Sequence, residues 1–199
     1  MPSNDLILAF DTSAAHCAAA LLSGDQILAL RVDEMAKGQA EHLFVLLEDI
    51  LSQAGQSWGN LTRIGVGIGP GNFTGIRISV ASARGLALSL GIPAIGISSL
   101  EVQQSDDPVL ATVPAPRDQC YIQEFGADIG TPRLTTRPEA EALALSLNLR
   151  LSDHLQAADL ARQIARRAAR SGTKTPPAPL YIRAADAAPP RDPAPVILP

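Results

Sequence analysis

Two short stretches of this chain combine residue types that could hold a phosphate. The first is Asp11-Thr12-Ser13, which follows an apolar run, and the second is the glycine-rich stretch from Gly65 to Arg77. Five glycines and a proline lie in that second stretch. Because glycine loses more conformational entropy on folding than any other residue, such a density predicts a backbone that approaches another group very closely.

The glycine-rich stretch matches neither of the two common phosphate-binding motifs. Asn72 occupies the position of the third glycine in a dinucleotide-binding Gly-x-Gly-x-x-Gly motif, and the lysine of a P-loop is missing. Free N–H groups at the start of the next helix could still bind an anion. A tight strand-to-helix connection with close packing explains the same residues, so both interpretations stay open.

Asp11-Thr12-Ser13 also has two interpretations. In phosphotransferases, an aspartate followed by small hydroxyl residues can hold a metal and a phosphate. The same residue types form turns in which Asp and Ser side chains cap free backbone N–H groups. No two of His16, His42 and His154 have the four-residue spacing of a metal-binding helix, so the sequence predicts no metal site.

Cysteine usage and charge narrow the possible functions. Cys17 and Cys120 form no C-x-x-C motif, which is typical of a reducing compartment. The formal net charge of −4 gives the chain as a whole no nucleic-acid signature. Arg162, Arg166 and Arg170 recur on one predicted helix face, either as an ordinary solvated surface or as a contact for RNA phosphates.

The first residues and the apolar runs predict where the protein resides. Residues 1–5 lack the basic segment and the apolar core of a signal peptide. No run approaches the roughly 18 apolar residues that a membrane-spanning helix needs. We therefore expect a cytoplasmic protein without membrane contact.

The hydrophobic pattern predicts strands and helices in alternation over the first half of the chain. Three apolar runs with short turns predict an antiparallel meander. The order that follows predicts a mixed sheet with helices packed on its faces. The predicted strands are residues 6–10, 16–22, 26–32, 63–69 and 94–97, and the predicted helices are residues 41–54 and 76–90, with a further helix beginning at 98–101.

The character of the chain changes after Glu101. Asp106-Asp107-Pro108 predicts a boundary between a domain of residues 1–105 and a second domain of residues 106–199. Half of the 16 prolines lie between Pro176 and Pro199, which predicts an extended tail over the surface. The elements predicted between boundary and tail are strands at 109–113 and 121–125 and helices at 138–147 and 159–170.

The two helices of the first domain have faces that need a partner. The middle of the helix at 41–54 is apolar all round, which is typical of a helix buried on both sides. The helix at 76–90 presents small residues, including Ser79, Ala83 and Gly85, that allow another helix to approach. An interface with another protein and coverage by the C-terminal half of the chain are both open.

Four stretches of the sequence resemble the TsaB (YeaZ) family. The resemblance is carried by residues 7–13, 67–77, 85–87 and 95–100, and Phe73-Thr74-Gly75-Ile76-Arg77 is its most specific mark. The segment 179–183 resembles the family's closing Pro-x-Tyr-Leu-Arg motif. The resemblance implies an α/β fold of two ribonuclease-H-like domains with mixed sheets, related to actin, Hsp70 and sugar kinases, with the second domain reduced.

The resemblance also implies a role in making N6-threonylcarbamoyladenosine in tRNA. Proteins of this family are not the transferase: they bind the catalytic paralogue TsaD, and TsaE joins the larger complex, which contacts tRNA. They bind TsaD through two helices of the N-terminal domain, and when alone they form a homodimer through the same surface. For this docking surface we predict His42, Leu43, Leu46, Leu47, Ile50, Arg77, Ser79, Val80, Ala83, Arg84 and Ala87.

The resemblance makes the two motifs remnants of nucleotide-binding loops. No second phosphate loop and no adenosine loop is found after Glu101, so we expect no catalytic residue and no tightly bound cofactor. A nucleotide at the partner interface stays open. The remnant loops comprise Asp11, Thr12, Ser13, Gly69, Gly71, Thr74 and Gly75.

One departure and one alternative accompany this hypothesis. Many relatives begin the second domain with Asp-Ala-Arg, whereas this chain has Pro114-Ala115-Pro116-Arg117. The alternative function is a glycoprotease-like peptidase or an ATP-dependent phosphotransferase of the same superfamily. TsaD-like proteins carry a metal-binding pair of histidines four residues apart, which this sequence lacks. The lack of this pair and of a second phosphate loop disfavours both enzymes.

Overall fold

The first half of the chain builds a five-stranded mixed sheet. A computed structural model describes residues 5–173 and 175–182. The strands lie in the order β3-β2-β1-β4-β5; β1, β2 and β3 are antiparallel, and β4 and β5 run parallel to β1. They are β1 (Leu6–Asp11), β2 (His16–Ser23), β3 (Gln26–Glu34), β4 (Arg63–Gly67) and β5 (Ala94–Ile97).

Helices cover both faces of this sheet, because its central strands are apolar on both sides. Helices α1 (Gln39–Gln53) and α2 (Phe73–Leu90) pack on one face, against residues such as Leu8 and Phe10 of β1. Helix α4 (Ala157–Arg170) packs on the other face, against Ile7 and Ala9. Side chains alternate along β1, so neighbouring residues of one strand enter two different cores.

A second, four-stranded sheet follows in the order β8-β7-β6-β9. Its strands are β6 (Val109–Ala115), β7 (Gln119–Phe125), β8 (Arg133–Thr136) and β9 (Arg150–Ser152), and helix α3 (Arg137–Ser146) packs on one face. Thr136 and Glu139 form a capping box that fixes the start of α3. The predicted architecture is confirmed: the chain forms two α/β units with mixed sheets, of which the second is smaller.

Three local predictions differ from the structure. The helix predicted to begin at Ser98–Glu101 is a single 3₁₀ turn, Glu101–Gln103. It ends there because the buried Gln103 side chain forms two hydrogen bonds with the backbone of Thr112 in β6. Strands β8 and β9 were not predicted, since they are only four and three residues long. Helix α2 starts at Phe73 rather than Ile76, with Asn72 as its cap.

The C-terminal half of the chain forms the second sheet and also packs on the first one. Helix α4 lies beyond the predicted boundary at residues 105 and 106 yet packs on the first sheet, and the boundary itself stays a prediction. Residues 175–182 contain no helix or strand and run back to β4, where the Leu180 N–H donates to the Ile68 carbonyl at 2.9 Å. The rest of the predicted extended tail lies outside the described residues.

Candidate functional site

The two predicted phosphate-type motifs meet at one edge of the first sheet. Strands β1 and β4 are parallel neighbours, so the residues that follow them emerge side by side. Asp11 ends β1 and Gly67 ends β4. Edges of this kind are the usual position of ligand sites in open α/β sheets.

Two glycines of the second motif are required by close approach of the chain's own backbone. A Cβ atom on Gly75 would lie 1.8 Å from the Thr12 carbonyl oxygen, and one on Gly71 would lie 2.3 Å from the Ser13 carbonyl oxygen. The Thr12 hydroxyl donates to the Gly75 carbonyl at 2.7 Å, and the Asn72 N–H donates to the Ser13 carbonyl at 2.6 Å. The two loops therefore pack directly on each other.

Asp11 is fully buried, and its bonds stay within its own loop. Its Oδ1 accepts hydrogen bonds from the Ser13 N–H at 2.9 Å, the Ser13 hydroxyl at 2.8 Å and His16 Nε2 at 2.9 Å. Its Oδ2 is buried against Gly67, where a Cβ atom would lie only 1.9 Å away. The carboxylate thus serves as the polar centre of a turn.

The remaining residues of the predicted remnant loops lie at the same edge. Gly69 has a positive φ of 93°, and a Cβ atom there would lie 2.5 Å from Ile76. Thr74 is exposed on the first turn of α2. The structure therefore brings together all seven predicted loop residues, and the absence of a tightly bound nucleotide stays a prediction.

A cleft of about 640 Å³ opens between this edge and the second sheet. Gln39, Asn72, Phe73, Tyr121 and His154 are among the residues that line it, and within the described ranges none of its lining residues is Asp, Glu, Lys or Arg. Burial lowers the pKa of His154 below its ordinary value, so the imidazole is neutral at pH 7. The cleft offers no fixed positive charge for a polyphosphate.

Metal and thiol chemistry find no support in residues 5–173 and 175–182. No group of three or more His, Cys, Asp or Glu side chains in these ranges could hold a metal ion. Burial, with smaller contributions from Asp33 and Asp11, raises the pKa of the Cys17 thiol to about 11. Cys17 is therefore protonated and unreactive at neutral pH. In the same ranges, no helix is both long and apolar enough to span a bilayer.

The docking residues predicted for α1 and α2 need correction. Seven of the eleven are buried in the chain's own core and cannot form a surface in this structure, because they face the first sheet. Of the others, His42 is half-buried and bonds to Asp33 at 2.6 Å, Ala87 packs against the core, and Arg77 and Arg84 are exposed. The seven are Leu43, Leu46, Leu47, Ile50, Ser79, Val80 and Ala83.

The exposed face of the same two helices is apolar at other positions, which we call the α1–α2 face. It carries Phe44 and Val45 from α1, and Ala81, Gly85 and Leu88 from α2. Leu88 is 86% exposed. The helical spacing of Leu43, Leu46, Leu47 and Ile50 was the available signal for the buried side, and it leaves Phe44 and Val45 outside.

Three side chains form a cluster beside the first turn of α2. The Arg77 guanidinium lies 3.7 Å from the centre of the Phe73 ring, and its Nε donates to the Tyr181 hydroxyl at 2.8 Å. The Phe73 and Tyr181 ring centres are 5.2 Å apart. The segment before Ile182 is thereby fixed to the glycine-rich motif, a contact that the sequence did not reveal.

Comparison with known families supports one assignment. The family model described as TsaD, tRNA N6-adenosine threonylcarbamoyltransferase, matches residues 33–177. The chain is 31% identical over 129 residues to the tRNA threonylcarbamoyladenosine biosynthesis protein TsaB of Escherichia coli (strain K12), over 61% of this chain and 55% of that protein. The TsaB of Buchnera aphidicola subsp. Schizaphis graminum (strain Sg) is 33% identical over 129 residues, 61% of either chain. The match thus spans little more than half of these relatives.

Two solved structures share the fold. One is an uncharacterized protein with similarity to peptidase YEAZ from Pseudomonas aeruginosa, with a TM-score of 0.71 and 24% identity over 90% of this chain and all of that chain. The other is YeaZ from Pseudomonas aeruginosa, with a TM-score of 0.65 and 24% identity over 84% of this chain and 93% of that chain. At this identity, the likeness concerns the fold alone.

Proposed function

Because the chain belongs to the TsaB (YeaZ) family, we propose that it is a non-catalytic subunit in the biosynthesis of tRNA N6-threonylcarbamoyladenosine. In this proposal it binds and activates the transferase TsaD through the α1–α2 face. TsaE joins the resulting complex, tRNA contacts it, and the free chain forms a homodimer through the same face.

The observation that carries the proposal is the apolar character of the α1–α2 face. Phe44, Val45 and Leu88 are exposed on adjacent helices that together cover one side of the first sheet. Phe44 and Val45 are neighbours on α1, and Leu88 is near the C-terminal end of α2. Exposed apolar side chains grouped on one face mark interaction sites more often than scattered ones do. Arg84 and Glu48 lie on the same helices and are exposed, so the face has a charged rim.

Gly85 supports the same surface. It lies inside α2 toward the C-terminal end, is exposed, and has no described residue within 4 Å of the position that a Cβ atom would occupy. A glycine in a helix interior destabilises it by about 1 kcal/mol relative to alanine. Within the described residues no contact compensates for this loss, whereas a partner helix could approach the bare backbone closely.

The proposal that the chain is not an enzyme rests on the motif edge. Ser13, His16 and Asp11 are close together, but Ser13 and His16 both donate to the same Asp11 oxygen. A serine nucleophile needs its hydroxyl bonded to the histidine that removes its proton. The arrangement is that of a buried turn and disfavours a peptidase.

The test is capture of TsaD by exposed-leucine variants. Leu88→Arg on the α1–α2 face should reduce co-purification with the same organism's TsaD at least about tenfold, because a guanidinium would be desolvated in an apolar interface. Leu145→Arg is the matched control, since Leu145 is 84% exposed on α3, outside the proposed face. Gel filtration of each free variant reports the homodimer.

Equal capture of TsaD by both variants would contradict the proposed face. A failure of the unaltered chain to capture TsaD would contradict the proposed function.

A further inference from the structure

The outer face of α4 carries arginines that lack acidic partners. Arg166 and Arg170 are exposed and form no ion pair with a residue that the structure describes. They lie one turn apart, about 6 Å along the helix axis, a spacing at which like charges destabilise a helix. Arg162, one turn earlier, differs because it pairs with Asp159 at 2.8 Å.

These two arginines line a polar cleft of about 690 Å³ between α4, the end of β5 and the loop after the 3₁₀ turn. Gln163 and Arg167 of α4 contribute to the same wall, and Gln104 and Ser105 lie opposite. Amide and hydroxyl groups of this kind donate hydrogen bonds to oxyanions.

Arg167 is the most constrained side chain of the cleft. Its Nη2 donates to the Gln104 carbonyl at 2.8 Å, and its Nε is buried with no hydrogen-bond partner among the described residues. Burial lowers the pKa of Arg167 from its ordinary value, while Glu101 opposes this shift and Arg170 adds to it. A guanidinium remains charged in proteins, so a positive charge is held partly desolvated at the wall of the cleft.

The remaining charges around the cleft have both signs. Glu101 and Asp106 line it and reduce its positive potential. Two further arginines approach its rim: Arg63 donates to the Ser171 carbonyl at 2.6 Å, and Arg150 donates to the Ser105 hydroxyl at 3.4 Å. Neither of these forms an ion pair within the described part of the chain, so the rim is net positive although the whole chain is acidic.

We propose that this cleft is a contact for the phosphodiester backbone of RNA, with Arg166 and Arg170 on successive phosphates and Arg167 at the base of the site. The planar, forked guanidinium suits phosphate better than an ammonium group does. The neutral donors along the wall complete the match to a backbone whose phosphates alternate with hydroxyl-bearing sugars.

The position of the cleft is compatible with simultaneous binding of a protein partner. Helix α4 packs on the face of the first sheet opposite to α1 and α2. RNA on the outer side of α4 would leave the α1–α2 face free. The choice of a tRNA as the physiological RNA rests on the proposed function, whereas the phosphate contact itself does not.

The test is the salt dependence of RNA binding by the full chain. An unmodified, fluorescein-labelled tRNA transcript is titrated in fluorescence anisotropy between 50 and 200 mM KCl for the unaltered chain and for Arg166→Gln/Arg170→Gln. Each lost phosphate contact lowers the slope of log affinity against log salt by about 0.7 to 0.9. The double variant should therefore lose about 1.5 in slope and about tenfold in affinity.

The matched control is Arg133→Gln/Arg137→Gln. It removes the same charge from arginines that pair with Glu124 and Glu141 and do not line the cleft. This control should keep the slope of the unaltered chain. An equal loss in both variants, or no RNA binding at 50 mM KCl, would overturn the proposal.

Two further measurements distinguish RNA from free phosphate as the ligand, and the RNA contact from the proposed binding of TsaD. Stabilisation by 10 mM inorganic phosphate that disappears in the double variant, without any RNA binding, would overturn the RNA contact in favour of a free anion. Capture of TsaD by the double variant should be unchanged. If the unaltered chain binds RNA through these arginines but does not capture TsaD, the proposed function fails and the phosphate contact stands.

Discussion

The two ends of α2 use glycine in opposite ways. At the N-terminal end, Gly75 lies against the Thr12 carbonyl, and no side chain larger than hydrogen fits. Near the C-terminal end, Gly85 faces open space, and nothing in the described structure lies within 4 Å of where its Cβ would be. The first glycine is explained by the chain's own packing, whereas no contact within the described residues explains the second.

This difference separates structure from function within one helix. The glycine-rich motif has a ligand site's location, but the loops after β1 and β4 bond to each other, and the cleft beside them has no Asp, Glu, Lys or Arg among its described lining residues. On the α1–α2 face, no described residue lies within 4 Å of the Cβ position of Gly85, although Pro176 and Pro177 line a groove with Gly85 and Leu88. The proposed contact with TsaD is therefore placed on the α1–α2 face and not in the glycine-rich motif.

The largest expected effect comes from a substitution at Gly75, at the N-terminal end of α2. Gly75→Ala should destabilise the chain by about 3 kcal/mol, because its Cβ would overlap the Thr12 carbonyl and separate the two loops. Urea unfolding followed by circular dichroism measures this change. A variant as stable as the unaltered chain would show that the loops can separate freely, and the distinction between the two ends of α2 would fail.

A smaller effect of opposite sign is expected at the open end. Gly85→Ala should stabilise the free chain by about 0.5 to 1 kcal/mol, because alanine favours the helix and meets no obstacle. The same urea titration applies, with Gly75→Ala as the reference of opposite sign. Destabilisation by Gly85→Ala would mean that Gly85 is enclosed within the free chain.

The sequence predicted the fold well because the elements of the first sheet have clear periods. Strands β1 to β5 and helices α1 and α2 each have a continuous apolar pattern, and the family motifs lie at their ends. The sequence could not show that α4 covers the first sheet rather than the second. That packing depends on whether the apolar face of α4 packs on the first or the second sheet, which tertiary contacts decide and local sequence does not.

The candidate site was predicted only in part, for a similar reason. The helices of the α1–α2 face were identified, but the residues chosen on them were those with the strongest helical spacing, such as Leu43 and Leu46. That spacing marks the side that packs on the sheet. The exposed apolar residues lie between them in sequence and have no periodic signal of their own, as Phe44 and Val45 show.

The most direct test of the docking surface compares exposed apolar side chains within a single sample. Hydroxyl-radical footprinting with mass spectrometry measures side-chain oxidation of the chain alone and with TsaD. Phe44, Val45 and Leu88 are on the α1–α2 face, and Leu145 and Leu147 are exposed controls at and just after the end of α3. We predict that TsaD protects the first three and leaves the two controls unchanged. Unchanged oxidation of Leu88 in the complex, with protection at Leu145 instead, would contradict the account.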